Sequence, residues 1–73
     1  MAEYLVVIEA SDDSYGAFVP DLPGCVAVGS TREEVERLIR EAIPLHIESL
    51  RSHGESVPQP TSEARYVGER RSG

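Results

Sequence analysis

Residues 26–39 read VAVGSTREEVERLI, and the chain changes character in the middle of that stretch. Val26-Ala27-Val28 is a short strand-forming run that ends at Gly29. Thr31-Arg32-Glu33-Glu34 then has the spacing of a capping box, in which the Thr31 hydroxyl accepts from the backbone N–H of Glu34 and the Glu34 carboxylate reaches back to the N–H of Thr31. A helix therefore starts here. Glu33, Glu34 and Glu36 suit the positive end of its dipole, and Glu33/Arg37 and Glu36/Arg40 stand at i,i+4 with the acid first. At 3.6 residues per turn, Val35, Leu38, Ile39, Ala42, His46 and Leu50 share one face, and Arg37, Arg40, Glu41, Pro44, Glu48 and Arg51 share the opposite one. The pattern runs to His53 and stops at Gly54. Pro44 removes one backbone donor and crowds the carbonyl of Arg40, at a cost of about 3 kcal/mol if nothing compensates. Because it lies opposite the apolar face, the expectation is a kink within one helix rather than two helices.

Toward the N-terminus, EYLVVIEA (Glu3 to Ala10) predicts a strand with Tyr4, Val6 and Ile8 on one face and Leu5 and Val7 on the other. SDDS (Ser11 to Ser14) is a polar turn signal, and Tyr15 to Val19 predicts a second strand, forming an antiparallel hairpin with the first. Between the second strand and the Val26 run lies PDLPGC, Pro20 to Cys25. Pro20 ends the ladder, Pro23-Gly24 supplies a tight turn and Cys25 opens the third strand as a small packed side chain. Toward the C-terminus, residues 54–62, with ESVPQPTS, predict an extended linker. Ala64 to Val67 predicts a short fourth strand, and 68–73 a frayed tail. No repeat is present, and residues 1–73 read as one domain with its core over about 3–60.

A single helix covers one face of a small sheet, yet the first strand is apolar on both faces and Phe18 also needs a place. A 73-residue chain buries only about 60% of the surface that its unfolded form exposes. With one cysteine and no cluster of cysteines and histidines at zinc-finger spacing, it has neither usual staple of a small domain. The uncovered face is therefore expected to meet another chain, with Leu5, Val7 and Phe18 as interface residues and a homo-oligomer as the expected assembly, and exposed strand edges offer a second route to pairing between subunits or with a partner.

The first residues lack a basic start and carry an apolar run of only LVVI, too short for a signal sequence or a membrane span, so a cytoplasmic protein is expected. Seven arginines face thirteen acids, a net charge of −6. Up to Leu50 there are three arginines against ten acids, net −7, and beyond it four against three, net +1. Such an acidic body repels phosphate backbones, which argues against direct nucleic-acid binding even for Arg65, Arg70 and Arg71, and attracts a basic protein.

Candidate chemistry is thin. Cys25 as a nucleophile needs a lowered pKa and His46 or His53 within reach, whereas free cysteine is among the most buried residue types. His46 and His53 are seven apart and lack adjacent-turn metal spacing. Asp12, Asp13 and Asp21 sit in turns, where aspartate bonds to nearby backbone. No catalytic, cofactor or metal motif is present, and no enzyme is expected.

The joined order of EYLVVIE, YGAFV running into Pro20-Asp21-Leu22-Pro23-Gly24-Cys25, then Gly29-Ser30-Thr31-Arg32-Glu33-Glu34 with Glu41-Ala42-Ile43, and finally Gly54 to Pro60, resembles the HicB family of antitoxins over about residues 3–60. The resemblance implies an α+β domain of β-β-β-α-β order, a three-stranded antiparallel sheet plus a short fourth strand with one helix on one face. It is likened to a reduced ribonuclease H fold without catalytic machinery. It also implies a partner, HicA, a small basic ribonuclease that cleaves messenger RNA and is neutralised when the antitoxin masks its active site. Relatives often carry a C-terminal DNA-binding domain, and none follows here, so operator binding by this chain is not expected. The alternative reading is an orphan homo-oligomeric binding or scaffold module with no toxin partner.

Overall fold

The computed structural model describes residues 3–69. Three strands, β1 (Val7–Ala10), β2 (Tyr15–Phe18) and β3 (Val26–Gly29), form an antiparallel sheet in the order β1-β2-β3, and α1 (Arg32–Ser52) packs on one face. The β1–β2 loop is closed by the Ser11 N–H donating to the Ser14 carbonyl at 2.8 Å. Register sets which side chains meet the helix. Ile8, Ala17 and Ala27 lie across from one another and face α1, while the neighbouring row of Val7, Phe18 and Val26 faces away. Tyr4, Val6 and Ile8 pack on the core side, as the alternation of the first strand requires.

The core consists of Ala17, Val19, Leu22 and Cys25 from the sheet and its β2–β3 loop, with Val35 and Ile39 from the helix. The small residues Ala17 and Ala27 let α1 approach the sheet closely. The helical stripe differs from the wheel in detail: Ile43 and Ile47 join Ala42 and Leu50 against the core, because the i,i+4 line from Val35 through Ile39 continues to 43 and 47. Leu45 is left exposed.

The capping box forms with one change of partner. Thr31 is the N-cap, extended at φ −133° and ψ 161°, and its hydroxyl accepts from the Glu34 N–H at 3.0 Å. The Glu34 carboxylate accepts from Ser30 N–H rather than from Thr31. To do so it lies along Gly29, where an added Cβ would come within 2.8 Å of the carboxylate oxygen and 3.1 Å of the Val35 nitrogen. Gly29 is thus required by close approach, and the reach over it carries the carboxylate one residue further back.

The helix runs unbroken through Pro44, which is exposed. Arg37 pairs forward with Glu41 at 3.7 Å rather than back with Glu33, an exposed contact of little energetic weight. At the C-terminus Gly54, at φ 71°, donates to the Arg51 carbonyl, and Glu55 donates to that of Leu50 at 2.9 Å, the two bonds of a Schellman ending. His53 closes the last turn through Nδ1, 2.7 Å from the Ser49 carbonyl oxygen.

The fourth strand expected over Ala64 to Val67 does not form: residues 55–69 carry no helix or strand. Strand formation needs a neighbouring edge, and the path of the chain does not offer one. The Tyr4 hydroxyl holds the Pro58 carbonyl at 2.6 Å, Asp21 holds Thr61 and Ser62, and the chain then leaves the body, with Tyr66 and Val67 exposed. The radius of gyration, 15.0 Å, exceeds the roughly 11 Å of a compact chain of this length, in keeping with that departure.

Candidate functional site

PDLPGC is built as two consecutive turns closed by the sheet. Leu22 N–H donates to the Val19 carbonyl at 3.0 Å, Cys25 N–H to the Leu22 carbonyl at 3.0 Å, and Val19 N–H to the Cys25 carbonyl at 3.1 Å. In the second turn Pro23 occupies the position whose φ proline presets, and Gly24, at φ 88°, occupies the one that demands a positive value, the signature of a type II turn. The purpose of this double turn is to drive the Leu22 side chain inward, where it is completely buried. Leu22 therefore belongs to the core and is not available to a partner. His46 of α1 approaches the loop from the helix side, its Cε1 lying 3.7 Å from the point where a Cβ on Gly24 would stand.

Cys25 is buried as well, and burial pushes its thiol above the ordinary value. This is opposite to the lowered pKa that a nucleophilic thiolate needs. Among the described residues no three His, Cys, Asp or Glu side chains converge as metal ligands would.

Asp21 does something that its local sequence does not suggest. Instead of bonding within its own loop, its carboxylate accepts from Ser62 N–H (2.9 Å), Ser62 Oγ (2.9 Å), Thr61 N–H (3.0 Å) and Thr61 Oγ1 (3.1 Å). These donors, led by the Ser62 N–H, hold the carboxyl below its ordinary pKa despite partial burial. Sequence reasoning missed this clasp because its two halves lie forty residues apart.

The remaining feature is the face of the sheet that α1 leaves uncovered. Val26 and Val28 are 62% and 68% exposed, and Phe18 is 37% exposed beside them. Val7, opposite Phe18, and Leu5, two residues before it, continue the patch onto the first strand, and neither packs against the core. Glu9, exposed and on the same side as Val7, puts an acid at its border. The alternation Val26-Ala27-Val28 was the signal for the two added valines: the small residue faces the helix, so the large ones face out. This arrangement is suited to binding, since it offers a broad apolar surface and no aligned acid, base or nucleophile.

Comparison with known proteins agrees with that character. Residues 4–71 match the family described as the HicB-like antitoxin of bacterial toxin–antitoxin systems. The chain belongs to that family. Among similar proteins, a UPF0150 protein of Thermoplasma acidophilum is 42% identical over 62 residues, covering 84% of this chain and 90% of its own length. A UPF0150 protein of Synechocystis is 46% identical over 57 residues, 77% of this chain and 72% of its own. An uncharacterized 14.9 kDa protein of Haemophilus phage HP1 is 35% identical over 66 residues, and this chain spans 50% of its length. No solved structure matches the chain. As a HicB-like domain, the chain has the three-stranded sheet and single helix expected of it, and the PDLPGC signature acts as a core plug and clasp. Among its described residues no helix is long and apolar enough to cross a membrane.

Proposed function

We propose that this HicB-like chain is a non-catalytic cytoplasmic antitoxin that binds a HicA-type, messenger-RNA-cleaving ribonuclease and masks its active site. The observation that carries the reading is the pairing of family membership with an acidic body that leaves one apolar sheet face open. A small basic ribonuclease is drawn to net −7 over the first fifty residues, which mainly accelerates association and makes it salt-dependent. Leu5, Val7, Phe18, Val26 and Val28 then supply the desolvated centre of the interface, with Glu9 at its border. The homo-oligomer expected from the sequence is assigned here to a different surface, because one face cannot serve a second copy and the toxin at once.

The test is to identify any small basic protein encoded beside the chain, co-express the two, and assay the complex and RNA cleavage. A stable complex, protection of RNA, and loss of both on Val28→Asp with the far-ultraviolet spectrum unchanged are the expected results. Neither a complex nor protection would sink the role. A chain that self-associates normally yet binds no adjacent basic protein is the orphan module instead.

A further inference from the structure

Two features of the molecule are incomplete, and they match. The first is the outer edge of β1. It pairs with no strand among the described residues, and α1, which packs chiefly over β3 and β2, leaves a groove beside it. Two adjoining hollows of about 530 and 370 Å³ make up the groove, walled by Tyr4, Val6, Ile39, Ile43 and Ile47. The second is the segment Glu63 to Val67. Tyr66 and Val67 favour strands, yet they are 106% and 88% exposed and lie against nothing that would pair with them.

The chain's own path keeps these two apart. Helix α1 ends beside Tyr4, the Tyr4 hydroxyl pins Pro58, and the Asp21 clasp then fixes Thr61 and Ser62 at the β2–β3 loop. From that point residues 63–67 do not return to β1, and Tyr66 and Val67 are exposed. We infer that the arm from Glu63 onward crosses to a second copy of the chain, where Ala64 to Val67 add a strand to the free edge of β1 and Tyr66 enters the groove between β1 and α1. The occupant is a second copy because charge favours it: residues 63–73 hold three arginines against two glutamates, net +1, whereas the body up to Leu50 has net −7. The exchange is reciprocal, so two arms fill two grooves and the assembly closes as a dimer. Strand addition satisfies the β1 edge amides that would otherwise template aggregation.

This inference rests on the self-association in the reading above, not on the toxin. Sedimentation of the full chain between 1 and 100 µM, roughly the range in which such interfaces form, is the first measurement. A dimer is expected, and Tyr66→Asp with Val67→Asp should weaken it at least tenfold, on the order of 1.4 kcal/mol or more, without unfolding a chain in which both side chains are exposed. Mass-tagged chains carrying Tyr66→Cys, mixed with chains carrying Arg40→Cys at the groove, should form a disulfide between unlike chains. A native monomer, a dimer indifferent to the double variant, or a disulfide formed within one chain carrying both cysteines would each overturn the inference. Any of these together with an intact toxin complex would leave the antitoxin reading standing.

Discussion

Asp21 and Cys25 stand four residues apart in the same loop and illustrate how little a residue's identity says before its partners are known. The Asp21 carboxylate is held below its ordinary pKa by Ser62 and Thr61, so its contribution is complete above about pH 3.9 and fades as pH falls through the lower folded value. Protection of the Thr61 and Ser62 amides, measured as exchange relative to the intrinsic rate at each pH, is expected to be high near neutrality and to fall in that acid range. In Asp21→Ala both acceptor oxygens are gone, so protection at both amides should be lost at every pH while the sheet and helix amides are unaffected. Cys25 behaves oppositely: desolvation raises its thiol, and the side chain is 2% exposed. Alkylation of native protein is therefore expected to be slow and to become fast in denaturant, and rapid labelling of the folded chain would restore the thiol as a candidate nucleophile. The turn at PDLPGC was legible from Pro23 and Gly24, whose backbone preferences act locally. The clasp was not, because hydrogen bonds across forty residues leave no trace in spacing.

At the level of elements, α1 is the part of the molecule most fully written in its own residues. The Thr31 cap, the acidic first turn and the glycine ending operate over a few residues each, and all three form. What local reasoning misplaced was the carboxylate partner of the box and the exact stripe, since Gly29 and the sheet beneath Ile43 and Ile47 decide those. Pro44 remains the helix's internal cost, with the Arg40 carbonyl deprived of its ordinary donor. Pro44→Ala restores that donor at an exposed position and is expected to raise stability by up to about 3 kcal/mol, read as a higher urea midpoint with an unchanged slope. No gain, or a loss, would mean that the backbone geometry proline imposes at this position is needed for the fit of α1 on the sheet.

For the whole molecule, the limiting fact is a core of six buried side chains among the described residues of a 73-residue chain. Such a core is marginal alone, and the self-association proposed above would add to its stability. The thermal midpoint is accordingly expected to rise with protein concentration between about 5 and 500 µM, as linkage to a dimer requires. A midpoint independent of concentration, measured by calorimetry, would contradict it. The arm from Glu63 and the open sheet face both lie outside this core, one carrying a small net positive charge and the other apolar with an acidic border, and they are the surfaces proposed above to meet other chains.

By itself the sequence determined the three strands, the helix with its cap and ending, the turn at PDLPGC and the family to which these add up, because each depends on backbone preferences and side-chain periods that act within a few residues. Only the tertiary structure decided that Leu22 fills the core, that Asp21 grips Thr61 and Ser62, and that Ala64 to Val67 stay unpaired. Those outcomes depend on which distant segments meet, and a strand-forming segment becomes a strand only where the fold brings it an edge.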